Sequence, residues 1–95
     1  MHIVVRRYKG ASGLAEEMER KRQDVENLIR GVRGFTAYHA FRTADGVVTI
    51  TVCEDKAGTD ESIRLAAGWV RENLPAAAVS APEITEGESY MDFTR

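Results

Sequence analysis

Residues 35 to 54 read FTAYHAFRTADGVVTITVCE, two β-prone runs flanking Asp45-Gly46, and the register of this hairpin decides the fold. If Asp45 and Gly46 are the two central turn residues, Ala44 pairs with Val47, Phe41 with Ile50 and His39 with Val52. Side chains opposite one another share a face. One face then collects Ala37, His39, Phe41, Val48, Ile50 and Val52, and the other collects Thr36, Tyr38, Ala40, Arg42, Thr49, Thr51 and Cys53. The first set is the more apolar and is expected to face the core.

Working outward, residues 2 to 8 are rich in β-branched and aromatic types and stop at Lys9-Gly10, which predicts a first strand. Ser12 offers an N-cap, and Leu14, Met18, Val25, Leu28 and Ile29 follow at helical spacing until Gly31 or Gly34, predicting one long amphipathic helix. Beyond the hairpin, Thr59, Asp60 and Glu61 read as the cap and acidic first turn of a second helix. Its apolar stripe runs through Ile63, Ala66, Ala67, Val70 and Leu74, and Pro75 ends it. Residues 75 to 82 read as a connector, and residues 83 to 93 supply a last strand with a bend at Gly87.

The order β-α-β-β-α-β predicts an α+β, ferredoxin-like domain over residues 1 to 95: a four-stranded antiparallel sheet with both helices on one face. Two helices leave the other face open. That face, expected to bear Tyr38, Ala40, Thr49, Thr51 and Cys53, is too apolar to stay wet, so a homodimer packed sheet to sheet across a two-fold axis is expected.

Composition narrows the partners. The 95 residues carry 13 Lys and Arg against 15 Asp and Glu, a net charge of -2 spread along the chain, which argues against a nucleic-acid partner. No apolar run approaches the roughly 18 residues that span a bilayer, and no membrane role is expected. The single cysteine, Cys53, cannot close an intrachain disulfide and lacks a second thiol for a metal site, which fits a cytoplasmic protein. Gly10 and Gly13 do not match a phosphate-binding glycine motif, so no nucleotide or flavin cofactor is expected.

The length, the element order, Gly34-Phe35 at the start of the second strand and the EDKAGTDES stretch at residues 54 to 62 resemble the dimeric α+β barrel superfamily, in scale its antibiotic-biosynthesis-monooxygenase-like members. The resemblance implies ligands seated between sheet and helices, and activities that range from cofactor-free oxygenation to haem degradation to none assigned. Its haem-degrading branch uses an Asn in the first strand and a His after the Trp. This chain has neither, which argues against haem.

Three residues stand out as candidates. His39, expected on the helix-facing side, is either a hydrogen-bonded core imidazole or the acid, base or anchor of a pocket. Lys21 falls in the middle of the first helix's apolar stripe, so either its stem packs with the amine at the rim or it lines the same pocket and supplies positive charge. Trp69 is offset by about 120° from the second helix's stripe and either packs against another segment or stacks on a planar ligand. Asn27 falls on the solvent side, and Arg7 with Glu54 reads as an ion pair at the sheet edge. No metal site is expected. Two functions remain open: a ligand-binding or dimerisation module, or a cofactor-independent monooxygenase-like enzyme acting on a small aromatic or enolisable substrate.

Overall fold

The computed structural model describes residues 1–10, 13–74 and 81–95. Its elements are β1 (His2–Lys9), α1 (Leu14–Arg20), α2 (Arg22–Arg30), β2 (Phe35–Thr43), β3 (Gly46–Cys53), α3 (Lys56–Asn73) and β4 (Glu83–Glu88). The strands form one antiparallel sheet in the order β2-β3-β1-β4. This is the ferredoxin-like βαββαβ arrangement, with the first helix divided in two. The expected cap at Ser12 and the helix end at Pro75 lie outside the described residues, as does most of the connector.

The hairpin turns one residue earlier than Asp45-Gly46 predicts. Thr43 pairs with Gly46, so Ala44 and Asp45 form the turn, and His39 lies opposite Ile50 while Phe41 lies opposite Val48. Gly46 has no positive φ; it is needed because a Cβ there would sit 1.9 Å from the Tyr8 carbonyl oxygen on β1. The shift is by two residues in pairing, so the two face sets survive it. A bulge between Phe35 and Ala37 interrupts the ladder at the start of β2.

Which face the helices cover is the opposite of the expectation. His2 and Arg6 reach Thr59 and Ser62 on α3, so His2, Val4, Arg6 and Tyr8 form the helix side of β1. Their partners on β3 are Cys53, Thr51, Thr49 and Val47, all buried. The helices therefore cover the polar set of the hairpin, and Ala37, His39, Phe41, Val48, Ile50 and Val52, joined by Ile3 and Val5, lie on the other, open face, where Val48 alone is buried. Apolarity alone picked the wrong side because the helix side carries polar groups that bond to one another, so its burial does not require an apolar set. The expectation that Thr49 and Thr51 line a sheet-to-sheet interface is corrected accordingly. Cys53, also expected there, is fully buried under Gly58 of α3, where a Cβ would come within 2.9 Å of the Cys53 Cβ.

α3 begins earlier than expected because Asp55, not Thr59, caps it, its carboxylate accepting from the Gly58 amide at 3.2 Å. The inward stripe runs through Gly58, Thr59 and Ser62 toward Ala66, Trp69 and Val70. Small side chains at its start let the helix lie close on the sheet, and Trp69 sits on the stripe rather than beside it. It packs with Val70 and Leu74 against Tyr8, Leu14 and Val47.

Candidate functional site

Between sheet and helices lies a cavity of about 30 Å³, walled by Arg6 and Tyr8 from β1, Tyr38 from β2, Thr49 from β3, Met18, Val25 and Ile29 from α1 and α2, and Trp69 from α3. Strand alternation brings the polar residues together: Arg6 lies opposite Thr49 across the β1–β3 ladder, and Tyr38 lies opposite Thr51 across the next. Arg6 is 2% exposed. Its Nη2 donates to Thr51 Oγ1 at 3.2 Å, and its Nη1 approaches Ser62 Oγ at 3.5 Å. Ser62 Oγ in turn donates to the Thr59 carbonyl at 2.7 Å. Arg6 Nε and Thr49 Oγ1 are buried with no hydrogen-bond partner. None of the ion pairs among the described residues includes Arg6.

Burial pushes the Tyr8 phenol above its ordinary value, partly offset by the Arg6 charge. The Tyr38 phenol is raised for the same first reason, again with Arg6 drawing it partway back. Both are therefore neutral at pH 7, and the guanidinium is the lone full charge among the residues lining the cavity. Three uncharged hydrogen-bonding groups (Tyr8, Tyr38 and Thr49), one guanidinium and an indole wall make a site suited to a flat molecule with an oxygen substituent.

A second concavity of about 720 Å³ lies outside, an open groove between α1–α2 and the edge strand β2. Met18, Val25, Ile29 and Tyr38 border both spaces, so this row of side chains is the partition between them. Lys21 interrupts the helix beside that partition, with φ -109 and ψ 35. Hydrogen bonding continues across the break, from the Lys21 amide to the Glu17 carbonyl at 3.0 Å and from the Val25 amide to the Lys21 carbonyl at 3.1 Å. The break turns the Lys21 amine toward α3, where it donates to Asn73 Oδ1 at 2.5 Å and pairs with Glu17 at 3.2 Å.

Of the three residues singled out from the sequence, one reaches the cavity. Trp69 forms part of its wall. Lys21 lies outside the lining of both spaces, its charge engaged by Asn73 and Glu17. His39 is exposed on the open side of the sheet and borders the outer groove, so the expectation that it faces the helices is corrected. The buried histidine is His2: Thr59 Oγ1 donates to the Lys56 carbonyl at 3.1 Å and so accepts from His2 Nδ1 at 2.7 Å. Arg7 and Glu54 form no pair, because β1 runs antiparallel to β3 and places Arg7 opposite Val48. Arg6, Tyr8, Tyr38 and Thr49 are not among the three residues singled out from the sequence. The signal for them was the His2-Val4-Arg6-Tyr8 alternation, which reads as a helix-facing row once β1 is placed beside β3.

No protein-family model and no curated protein matches the sequence. Solved structures do match. MhuD, a heme-degrader of Mycobacterium tuberculosis with two hemes bound in its active site, aligns over 99% of this chain and 100% of its own at 13% identity and TM-score 0.70. A protein of unknown function from Nitrosomonas europaea aligns over 99% and 92% at 20% identity and TM-score 0.70. SnoaB, a cofactor-independent oxygenase of Streptomyces nogalater, aligns over 99% and 97% at 19% identity and TM-score 0.64. The chain thus shares the fold of these three proteins. Among the described residues the cavity is lined by no imidazole and no thiol, and both phenols hold their protons. Among the described residues no group of three or more His, Cys, Asp or Glu could hold a metal ion, and no helix is long and apolar enough to cross a membrane.

Proposed function

We propose that this single-domain chain binds a small, flat organic molecule between its sheet and its helices, as a homodimer joined through the open sheet face. One observation carries the reading: aromatic walls from Tyr8, Tyr38 and Trp69 surround buried polar atoms that lack partners. Folded proteins rarely leave buried donors and acceptors unmatched, because each costs about 1 to 3 kcal/mol.

At about 30 Å³ the cavity is far smaller than a ligand, since one of drug size needs about 300 Å³ or more. Binding therefore requires the Met18, Val25, Ile29 and Tyr38 partition to move, which would join the cavity to the outer groove. The helix break at Lys21 provides the articulation. His39, on the rim of that groove, is assigned no chemical step. The dimer follows from the open face, where Ile3, Val5, Ile50 and Val52 are only half-buried and Phe41 is 49% exposed.

Trp69 is the single tryptophan, so its fluorescence reports on the cavity alone. Titration with 1,4-naphthoquinone should quench it saturably, at one molecule per chain. A folded protein whose emission is insensitive to naphthoquinones and other flat aromatics would refute the reading.

A second reading is cofactor-independent oxygenation of an aromatic or enolisable substrate, and the Arg6 charge in a water-poor cavity favours it. Such a charge stabilises an enolate or phenolate formed beside it. Oxygen consumption on addition of 1,2-dihydroxynaphthalene, above the rate without protein and lost in Arg6→Met, separates turnover from binding.

A further inference from the structure

We infer that the cavity selects an organic anion, a phenolate, enolate or aryl carboxylate whose oxygen seats against Arg6 Nε and Thr49 Oγ1. The inference rests on the ligand-binding reading above and adds the charge class of the ligand. Nη1 and Nη2 of Arg6 meet only hydroxyl oxygens. Both orphaned atoms belong to residues that face each other across the β1–β3 ladder, on the helix side. A guanidinium taken out of water loses several kcal/mol of hydration that hydroxyl groups do not return. Among the described residues every other Lys or Arg in a contact with an acid is at the surface or the rim, with side chains 29% to 71% exposed for Lys21, Arg20, Arg30, Arg42, Lys56 and Arg64.

A water molecule brought against Nε would supply no negative charge. A ligand oxyanion supplies both an acceptor and that charge. The neutral phenols of Tyr8 and Tyr38 add potential O–H donors and no competing charge, and the indole of Trp69 offers a face for a ring. A dianion or a phosphate ester is disfavoured, because one guanidinium is the whole positive charge of the lining.

The test uses 4-nitrophenol, which titrates near neutral pH and is yellow when ionised, and 4-nitroanisole, a neutral molecule of nearly the same shape. The wild-type protein should bind nitrophenol as its phenolate, increasing the yellow band at a pH below the free probe's own midpoint. It should prefer nitrophenolate over nitroanisole by about tenfold or more, the least expected of a charged hydrogen bond. Arg6→Met should erase the preference, keep nitroanisole binding, and melt at the same or a higher temperature, because a buried unpaired charge has been replaced by a thioether. Thr49→Val, which keeps shape and removes the hydroxyl, should reduce the preference in part.

Equal affinity for both probes, or a bound nitrophenol driven toward its neutral form, would overturn anion selection and leave the cavity as a neutral binding site. Failure of both probes to bind folded wild-type protein would overturn the cavity reading as well. Should Arg6→Met not fold, the two-probe comparison on the wild type and the Thr49→Val variant still decides the matter.

Discussion

Tyr8, Tyr38 and Cys53 lie under the helices, and burial holds the proton of each more tightly than an unfolded chain would. Asp55 and Glu61 add to the effect at Cys53. An acid whose folded value is raised keeps its proton in the native state while the unfolded chain gives it up, so the unfolded state is favoured as pH rises. The stabilising contribution is complete below the ordinary values of 9.0 for Cys53 and 10.0 for the tyrosines, and is lost above them. Urea midpoints should be level through neutral pH and fall from about pH 9. Tyr8→Phe, lacking one of the three protons, should show a shallower alkaline fall; an identical fall would show that Tyr8 is not held as described. At Gly58 the constraint is steric: a Cβ would stand 2.3 Å from the Arg33 carbonyl oxygen and 2.9 Å from Cys53. Gly58→Ala should cost about 1 to 3 kcal/mol in urea unfolding, the range for overpacking.

The elements follow from local pattern where side chains act locally. The β-branched runs, the acidic residues before Ala66 and the helical spacing of Leu14, Met18 and Val25 were all legible in the sequence. Two features depended on contacts between elements and were not. The turn at Ala44-Asp45 is selected by β1, whose Tyr8 carbonyl excludes any side chain at Gly46. The break at Lys21 has neither proline nor glycine; it is accompanied by the contact to Asn73, 52 positions away in sequence. Asn73 also donates from Nδ2 to the Trp69 carbonyl at 2.8 Å, so it ties the break to the cavity wall. Asn73→Ala should therefore cost about 1 kcal/mol of stability and shift the Trp69 emission. An unchanged emission maximum would mean that the two features are not linked.

At the scale of the whole molecule, the helices cover the more polar face of the sheet and leave the more apolar one uncovered. Binary patterning reads the more apolar side as the core, and in a lone sheet with helices that rule serves well. Here the apolar set, with Ile50 and Val52 half-buried and Phe41 exposed, lies on the face the helices do not cover, and the polar set around Arg6 borders the cavity. His39 consequently lies outside the covered cavity, and Arg6 lies inside it. Ile50→Lys should give a folded monomer by light scattering. Thr51→Lys, on the helix side and fully buried in the wild type, should fail to fold because it buries a charge with no acid beside it. Reversal of these two outcomes would reverse the assignment of the faces.

The seat of the ligand can be located directly by soaking crystals of the protein with a brominated 1,4-naphthoquinone and mapping the anomalous scattering of bromine. A binding site between sheet and helices predicts a peak in van der Waals contact with Trp69, Tyr8 and Tyr38, close to Arg6, on the covered side of the sheet. A peak confined to the outer groove beside Thr36 and His39, or to the open face over Ile50, with the covered cavity vacant, would contradict it.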